Sequence, residues 1–600
     1  MGQVRVMSRA GEAEGQPAAY DRRLLSRLGG LLRPYGRELA ISFALTLVIS
    51  GSSLAQPYLV KLAIDEGIGR GSVETLTAVC LAYLATLLAY WRASVGQTYI
   101  LSQAGQRVLF DLRVTLFGKL QALSLRYFDR EPLGRIISRM TNDISAINEV
   151  LTQGLVASLA DLLMLLGIIA ILLSMSIHLS LLTFSVLPLM FLAARWFTSA
   201  SRQAYRRVRL AIAEVNASLA EGIVGMKIVQ AFRREHVNAA QFDEVNTRHL
   251  DANRQAILIS STIMPALDLF NAIGIGLILW FGGQIILGGH GDGLTVGVIA
   301  AFLLYVERFF EPIRELTGRY DTLQAAMAAA ERVFQVIDAE PEVLDAPAAI
   351  VLPPIEGRVR FDNVTFFYVP GNPVLHHVCF EAQPGERIAL VGPTGAGKST
   401  IIKLLCRFYD VPEGTVTIDG HDLRSVTQRS LRSQIGLVQQ EPFLLSGTIR
   451  ENIAYGRPAA TEAEVQEAAR AVGLDSLLAS TAAGYETVVE ERGGNLSMGQ
   501  RQLVSLARAL LADPRILILD EATSSIDTAT ETAIQAALLR VMEGRTCFII
   551  AHRLATVRDA SRILVVERGE IVEQGTHQEL LERQGGYHHL YRMGLALPED

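Results

Sequence analysis

A phosphate-binding pattern of glycines, a lysine and hydroxyl residues is the most chemically informative part of the chain. Residues 392–400 read GPTGAGKST, and the apolar run RIALV at 387–391 comes directly before them. Glycines let backbone N–H groups close around phosphate oxygens, while a lysine neutralises phosphate charge and a serine hydroxyl can bind Mg²⁺. Because a strand pattern precedes the loop and a helical pattern over 398–408 follows it, the sequence predicts a nucleotide site. The predicted ligands are Gly392, Pro393, Thr394, Gly395, Ala396, Gly397, Lys398, Ser399 and Thr400.

Two adjacent carboxylates and a histidine follow at the ends of further apolar runs. Asp520 and Glu521 come directly after RILIL at 515–519, and His552 follows the run at 546–551. An aspartate at such a position can hold a metal ion, and the glutamate can orient or deprotonate an attacking water. A surface cap for the carboxylates and a structural role for the histidine are the alternatives. The order of the set after a phosphate loop favours catalysis.

Long apolar stretches fill the first half of the chain. A bilayer is spanned by about 20 apolar residues. The run at 162–194 contains no Asp, Glu, Lys or Arg and is too long for one span, so we expect a tight turn at SMSIHLS, 174–180. This gives six predicted spans. The apolar runs that contain them are 39–60, 75–91, 162–194, 256–286 and 294–313.

Arginine and lysine orient the predicted spans. The segment 92–151 holds eight of these residues and 195–254 holds ten, whereas the three short connections on the other side hold two, Lys61 and Arg70. The positive-inside rule therefore places both long loops, both termini and the nucleotide-binding part in the cytoplasm. We expect the protein in the inner (cytoplasmic) membrane. The net charge of −6 gives no indication of a nucleic-acid partner.

The two long cytoplasmic loops keep a helical pattern over roughly 60 residues each, so their helices extend well beyond the bilayer. We expect each loop to form a hairpin whose tip reaches the nucleotide-binding part. The candidate tips are 127–134 (YFDREPLG), where Pro132 and Gly134 break the helix, and 225–234 (GMKIVQAFRR). Leucines and arginines at 22–33 predict either an amphipathic helix at the inner membrane surface or an ordinary surface helix.

A further motif, LSMGQ at 496–500, lies between the phosphate loop and the carboxylate pair. In order and spacing the whole set resembles that of an ATP-binding-cassette exporter half-transporter, the type IV fold of multidrug and lipid exporters. The resemblance covers residues 20–600. It implies an α-helical membrane domain of six transmembrane helices with long intracellular extensions, followed by an α/β P-loop nucleotide-binding domain. It also implies ATP and Mg²⁺ as cofactors.

The resemblance implies roles for individual residues. Tyr368 in VTFFY would stack on adenine, Glu491 in EERGG would sense the intracellular loops, and Asp527 would communicate across a dimer. LSMGQ would bind the γ-phosphate of ATP held by another subunit, with Ser497 capping its helix, so that a single chain cannot complete a site. The implied catalytic residues are Glu521, His552 and Gln440; the metal ligands are Ser399, Gln440 and Asp520; the nucleotide contacts outside the phosphate loop are Tyr368, Ser497, Gly499, Gln500 and Asp527.

These patterns divide the chain into four parts. Residues 1–37 form a cytoplasmic segment with the interfacial helix, and 38–337 form the six-helix transmembrane domain. Residues 338–354 contain four prolines without a helical period and are the predicted linker. Residues 355–600 form the nucleotide-binding domain.

Met498 departs from the LSGGQ of the family, because the family has glycine at this position. A side chain there would crowd the phosphate loop of the partner or, if the position requires a positive φ, strain the backbone. In heterodimeric members one subunit keeps the catalytic glutamate and histidine beside an altered LSGGQ, as Glu521 and His552 do here. We therefore favour a heterodimer with a second half-transporter over a homodimer that tolerates methionine.

Polar residues inside the apolar runs are the candidates for a substrate path. A charge at mid-membrane costs about 2.5–3.5 kcal/mol, so such residues usually face a cavity. The alternative is that they neutralise partners on neighbouring helices and bind nothing. If the acidic residues line the path, an amphipathic or cationic compound is favoured. The candidates are Gln56, Asp268, Asn271, Glu307 and Arg308, with Asp161 a weaker one.

The expected function is ATP-driven export of a hydrophobic or amphipathic substrate (drug, lipid or peptide) by alternating access, within membrane lipid. Import of a metal-chelate substrate on the same fold is one alternative. A regulatory subunit that binds ATP without transport is the other, and the intact Lys398, Asp520, Glu521 and His552 argue against it.

Overall fold

The computed structural model describes residues 22–287, 294–475, 478, 483–520, 528–551 and 557–592. These residues fall into two compact units. The first lies within Met1–Gln121 and Gly134–Asp338, and the second within Ala122–Leu133 and Ala339–Asp600. The short segment 122–133 is therefore part of the second unit, although its neighbours in sequence on both sides belong to the first.

Long helices dominate the chain as far as Asp338. Three of them, α3, α9 and α11, contain 50, 39 and 53 residues. They extend well beyond the about 20 residues that a bilayer requires, as the patterning of the two long loops predicts. In chain order the helices are α1 (Arg22–Leu32), α2 (Gly36–Leu62), α3 (Val73–Ala122), α4 (Leu125–Arg130), α5 (Leu133–Ser138), α6 (Ile144–Glu149), α7 (Leu155–Met175), α8 (Ile177–Phe184), α9 (Val186–Val224), α10 (Met226–Ala231), α11 (Glu235–Leu287) and α12 (Val296–Asp338).

Six helical stretches supply the predicted membrane spans. Within the described residues, five are long and apolar enough to cross a bilayer by length and composition. The sixth predicted span lies in the 43-residue helix α12, whose apolar part carries Glu307, Arg308 and Glu311. The five stretches are Ser26–Ile68, Val73–Ala122, Leu133–Met175, Ile177–Val224 and Glu235–Leu287.

Ser176 makes the tight turn that the sequence predicts between the third and fourth spans. Its backbone is extended, with φ −161° and ψ 113°, and its side chain accepts a hydrogen bond from the N–H of Leu179. A serine in this geometry caps the first turn of the following helix. The π-helical segments at Ala63–Ile68, Arg139–Asp143 and Val150–Gly154 have no counterpart in the sequence-based expectation.

A largely apolar core holds the membrane unit together where α7, α8, α11 and α12 meet. Ile168, Leu179, Ile278 and Phe302 are at most 1% exposed within it. Between helices in a bilayer, van der Waals packing rather than transfer out of water stabilises such a core. Tyr305 lies in the same core, and its hydroxyl donates a hydrogen bond to a main-chain carbonyl of α2, so its one polar atom is satisfied.

Parallel strands form the centre of the second unit. A six-stranded sheet has the order β12–β11–β3–β10–β9–β6 and is parallel except for the edge strand β12. A four-stranded antiparallel sheet has the order β2–β1–β4–β5. The strands are β1 (Val359–Val369), β2 (Asn372–Ala382), β3 (Arg387–Val391), β4 (Glu413–Ile418), β5 (His421–Asp422), β6 (Ile435–Val438), β7 (Gly447–Thr448), β8 (Val488–Val489), β9 (Ile516–Asp520), β10 (Thr546–Ile550), β11 (Arg562–Glu567) and β12 (Glu570–Gly575).

Successive residues of the central strands enter two different cores. In β3, Ala389 and Val391 pack in one core while Ile388 and Leu390 pack in the other. A strand covered on both faces is apolar throughout, which explains the runs IALV and ILIL. The described helices around the sheet are α13 (Lys398–Leu405), α14 (Gln428–Arg432), α15 (Ile449–Ala454), α16 (Glu462–Ala471), α17 (Met498–Ala512), α18 (Thr528–Met542), α19 (His577–Glu582) and α20 (Gly586–Arg592).

Candidate nucleotide-binding site

The phosphate loop joins β3 to α13 and depends on glycine geometry at three positions. The φ angle is 146° at Gly392, 83° at Gly395 and 111° at Gly397, values that favour glycine. A Cβ on Gly392 would lie 2.0 Å from the carbonyl oxygen of Val566 on the adjacent strand β11. Space as well as backbone conformation therefore requires glycine there. Residues 393–395 at the crest are exposed, which leaves the loop open to a phosphate group.

Lys398 begins α13 and turns its ammonium group back into the loop. Its Nζ donates hydrogen bonds to the carbonyl oxygens of Gly392, at 2.6 Å, and Pro393, at 3.0 Å. The residue is only 8% exposed. Burial lowers the pKa of Lys398, and the charge of Asp520 opposes part of that shift. A buried ammonium held by neutral carbonyls is a strong site for an anion, because its charge is little screened by water.

The other predicted residues of the loop divide into buried and exposed groups. Ala396 is 3% exposed and Thr400 is 5% exposed, so both help to pack the loop against the sheet. Ser399 is exposed on the first turn of α13. Its hydroxyl is thus accessible to a metal ion beside the phosphates.

Two of the predicted metal ligands, Asp520 and Gln440, follow neighbouring strands at one edge of the parallel sheet. Asp520 ends β9, and Gln440 lies two residues after the end of β6, the strand paired with β9 in parallel. The phosphate loop leaves the same edge two strands away, since β10 separates β9 from β3. Carboxyl ends of parallel strands are the usual ligand-binding edge of such sheets. A serine hydroxyl, an amide and a carboxylate there are ligands that suit Mg²⁺.

Tyr368 lies beside α13, close to the phosphate loop. Its hydroxyl is 3.2 Å from Oγ1 of Thr400. Its ring makes edge-to-face contacts with Phe366, at 5.0 Å between centroids, and Tyr409, at 5.3 Å. An aromatic ring at this distance from a phosphate loop is suited to stack on a nucleotide base.

The LSMGQ motif forms the start of α17. The Ser497 side chain accepts from the N–H of Gln500 at 3.3 Å, and the Gln500 side chain accepts from the N–H of Ser497 at 2.8 Å. This reciprocal pair is a capping box, which confirms the expected helix cap. Gly499 is buried in the first turn. The partial positive charge at such a helix start favours an anionic partner.

Met498 is the first residue of α17 and has no positive φ angle. The condition for a strained backbone at this position is therefore not met, because a helical residue tolerates any L side chain. Its sulfur accepts a contact from Nη2 of Arg501 at 3.6 Å, and the side chain is half-buried. Crowding of another subunit is the alternative that stays open.

Three of the predicted residues lie outside the described part of the chain: Glu521, Asp527 and His552. Glu491 lies within it, at the start of a short 3-10 turn over Glu491–Gly493. Their roles therefore stay predictions from the sequence.

Comparisons with known proteins give the family. The ABC transporter transmembrane region matches residues 39–313, and the ABC transporter domain matches residues 375–524. The fatty acid ABC transporter ATP-binding/permease protein of Mycobacterium bovis is 41% identical over 528 residues, which are 88% of this chain and 82% of that protein. The chain belongs to the ABC transporter family. The ATP-dependent lipid A-core flippase of Syntrophus aciditrophicus is 36% identical to this transporter over 570 residues, 95% and 94% of the two chains.

A solved structure agrees with the assignment for this ABC transporter. A bacterial Atm1-family ABC exporter with ATP bound matches with a TM-score of 0.75 and 31% identity, over 95% of this chain and 99% of that one. The chain is thus an ABC exporter half-transporter, a multi-pass membrane protein whose ATPase activity is coupled to transport.

Arg308 in the membrane domain of this half-transporter contacts a neighbouring helix. Its Nη1 donates to the carbonyl oxygen of Ser53 at 2.5 Å and to the hydroxyl at 3.0 Å, and its Nη2 donates to Oε1 of Gln56 at 2.7 Å. These contacts link α12 to α2. They favour the alternative that Arg308 and Gln56 pair with neighbouring helices and bind no substrate. The acceptors of Arg308 are neutral, however, and not the acidic partners that this alternative assumed.

The acidic candidates have different surroundings. Asp268 and Glu307 are exposed in the single chain, so they keep the option of facing a cavity. Asp161 forms an ion pair with Arg319 of α12. The Oδ1 atom of Asn271 is buried and has no hydrogen-bond partner within the described residues.

Sequence reasoning missed the residues that hold the first hairpin tip. The helix after the phosphate loop ends at Leu405 rather than at Phe408 as expected, and Arg407 has a φ of 49°. This turn directs Tyr409 toward Asp129 of the tip, and the Tyr409 hydroxyl donates a hydrogen bond to that carboxylate. The available signal was an aromatic residue directly after an apolar helical run.

Proposed function

We propose that this half-transporter uses ATP hydrolysis to export an amphipathic, lipid-like substrate across the cytoplasmic membrane, as one subunit of a dimer with its ATPase domain in the cytoplasm. The observation that carries the proposal is the Lys398 ammonium, held inside a glycine loop in the same chain as five helical stretches long and apolar enough to cross a membrane. The arginine-rich long loops support the cytoplasmic orientation. Lipid and fatty-acid substrates of similar transporters support the substrate class.

Each residue of the proposed ATP site has a distinct task. Backbone N–H groups of 394–397 and the Lys398 ammonium would bind the phosphate groups. Mg²⁺, when bound, would be held by Ser399, Gln440 and Asp520 and would neutralise charge on the phosphates. Glu521, which follows Asp520 in sequence, would orient or deprotonate the attacking water, with His552 near the γ-phosphate.

We infer that the partner subunit differs from this one. Met498 places a thioether at the start of α17, where the family has glycine, and its side chain is half-exposed. A side chain at the helix start would meet the phosphate loop of the other subunit. Intact Glu521 beside this substitution supports pairing with a half-transporter that supplies an unaltered LSGGQ.

The ATPase activity of the purified chain in lipid nanodiscs tests the proposal. Without a partner we expect little Mg²⁺-dependent hydrolysis above that of Glu521→Gln, together with normal ATP binding. Met498→Gly should then raise hydrolysis by at least about fivefold, since it removes the steric block. Brisk hydrolysis by the unaltered chain, abolished in Glu521→Gln, would instead establish a homodimer. A chain that binds no ATP would refute the site itself.

The substrate class has a separate test. Asp268 lies exposed on α11, within an apolar run. If it lines the path, Asp268→Asn should abolish transport of a cationic amphiphile while ATPase activity is retained. Efflux of a fluorescent cationic dye and of a fluorescent fatty acid from proteoliposomes distinguishes the two kinds of substrate. Unchanged dye transport in Asp268→Asn would remove this residue from the path.

A further inference from the structure

A group of five side chains in the second unit, which we name the tip cluster, connects helix α4 to the predicted base-stacking tyrosine. It consists of Arg126, Asp129, Tyr368, Lys403 and Tyr409. Arg126 and Asp129 belong to α4, Lys403 belongs to the phosphate-loop helix α13, and Tyr368 and Tyr409 lie in β1 and after α13. All five belong to the compact unit that contains residues 122–133 and the cassette.

Tyr409 is the centre of the tip cluster. It is 3% exposed, and its hydroxyl donates to the Asp129 carboxylate. Burial, and then the hydrogen bond to Asp129, raise the pKa of Tyr409 well above its usual range. The hydroxyl is therefore a neutral donor at any physiological pH. The Tyr409 ring makes edge-to-face contacts with Tyr368 at 5.3 Å and Phe366 at 5.6 Å, an arrangement that fixes ring orientation.

Two cations complete the tip cluster. Nζ of Lys403 is 5.5 Å from the ring centroid of Tyr368 and 5.9 Å from that of Tyr409, and 3.5 Å from Oδ2 of Asp129. The Arg126 guanidinium is 5.5 Å from the Tyr409 ring. Lys403 thus contacts both the tyrosine pair and α4. Cation–ring contacts of this kind weaken if either ring turns.

The tip cluster reaches the nucleotide through Tyr368. The Tyr368 hydroxyl is close to Thr400 of the phosphate loop, and Lys403 lies five residues after Lys398 on the same helix. Binding of phosphate groups to the loop does not depend on the Tyr368 ring, whereas stacking of a base does. A base would consequently act on the ring that Tyr409 and Lys403 hold.

We propose that Tyr409 is a positioning residue that holds Tyr368 for a nucleotide base and, through Asp129, communicates the presence of that base to α4. The proposal rests on the nucleotide site of the proposed function. It differs from that function in one respect: it assigns the response of α4 to the base rather than to the phosphates. The two parts of the ligand can be supplied separately.

Binding of ATP and of inorganic triphosphate to the full chain in lipid nanodiscs tests the positioning role. Tyr409→Leu should weaken ATP binding by about fivefold, the effect of losing edge-to-face ring contacts, and triphosphate binding by less than about twofold. Phe408→Leu is the matched control, because Phe408 is half-buried and contacts Arg432 outside the cluster. Equal losses for both ligands, or no loss for ATP, would overturn the proposal. If the unaltered chain binds neither ligand, the proposed function itself fails.

Hydrogen exchange tests the connection to α4 with a milder variant. Tyr409→Phe keeps the ring and removes only the hydroxyl that bonds to Asp129, so the fold should be retained. In the unaltered chain, ATP should slow exchange of residues 122–133 more than triphosphate does. In Tyr409→Phe that difference between ligands should disappear. An ATP-specific response that persists in Tyr409→Phe would show that closure of the dimer, not the base, drives it, and would refute the proposal.

Discussion

The two hairpin tips, α4 and α10, have the same length and opposite surroundings. In α4, Leu125 packs against a core of the cassette, and Asp129 bonds to Tyr409 and Lys403. Neither helix has a fully buried residue, but Ile228 of α10 is 67% exposed. Phe232, directly after α10, is 74% exposed. One tip is held by charge and aromatic contacts within its own chain, while the other presents an apolar surface.

The difference teaches how one chain divides its contacts. Exposed apolar side chains clustered at a helix end usually mark an interaction site. ABC exporters work as dimers, so the apolar α10 tip is expected to dock on the other subunit, whereas α4 contacts its own cassette. Charge contacts would then hold α4 against its own cassette, and apolar contacts would hold α10 against the other subunit.

Ile228→Asp is the strongest way to break this comparison. A carboxylate in an apolar interface is costly, because its desolvation is not compensated. We expect ATPase activity in nanodiscs to fall at least about tenfold when it is measured together with a half-transporter that supplies an unaltered LSGGQ. Stability of the single chain should change by less than about 0.5 kcal/mol, since the position is exposed.

Gln230→Asp is the matched control for Ile228→Asp, because it adds the same charge to an exposed position of the same helix. Near-normal activity in Gln230→Asp assigns the effect to the apolar side chain. Full activity in Ile228→Asp would mean that the α10 tip does not dock through this face.

Asp129→Asn weakens the other tip by a smaller amount. It removes the charge that pairs with Lys403 but leaves an acceptor for the Tyr409 hydroxyl. Because the pair is partly exposed, we expect a loss of about 1 kcal/mol, seen as about fivefold faster hydrogen exchange across 122–133. In a double-mutant cycle, Lys403→Gln should add little to Asp129→Asn. Additive losses would show that the two side chains act independently.

Salt should separate the two tips without a mutation. Raising NaCl from about 0.05 M to about 0.5 M shortens the screening length and weakens exposed charge pairs. Hydrogen exchange of residues 122–133 should speed up by about threefold. Exchange of α10 in the dimer should not speed up, because apolar burial does not depend on charge screening. Equal salt sensitivity at both tips would contradict the division into charged and apolar contacts.

Local sequence patterns predicted the parts of this molecule that depend on neighbouring residues. The strand RIALV, the turn at Ser176 and the Ser497 cap all occur where expected, because strand apolarity, extended backbone and capping are short-range properties. The breaks of the second hairpin loop, at 225 and 232–234, lie within the expected tip. The first loop breaks at 131–132, inside its expected tip, but also at 123–124, before it, and Gly134 lies inside α5 rather than breaking the helix. Residue roles at Gln440 and Tyr368 came from resemblance, and the geometry at the sheet edge and beside Thr400 is compatible with them.

Long-range pairings could not be predicted from the sequence. Arg308 finds its acceptors 252 to 255 residues away, and Tyr409 meets Asp129 across 280 residues. No periodicity carries such information, because each partner depends on how separate helices pack. The φ angle at Met498 could not be predicted from the sequence either. A glycine in a family pattern can be required by a positive φ or by lack of space for a side chain.

Arg27 gives the smallest effect and tests whether burial, rather than charge alone, strengthens the α4 contacts. Its guanidinium donates two hydrogen bonds to Asp338, at 2.5 and 2.7 Å, and lies 4.0 Å from the ring centroid of Phe334. The two charged side chains are 42% and 55% exposed, however, and exposed pairs contribute less than about 1 kcal/mol. Arg27→Gln should therefore lower the thermal midpoint only slightly. Converted to a free energy of unfolding, the loss should be smaller than the loss of about 1 kcal/mol expected from exchange rates for Asp129→Asn. A larger free-energy loss for Arg27→Gln would mean that bidentate geometry and ring contact outweigh exposure. The contacts of the tip cluster would then owe their strength to geometry rather than to burial.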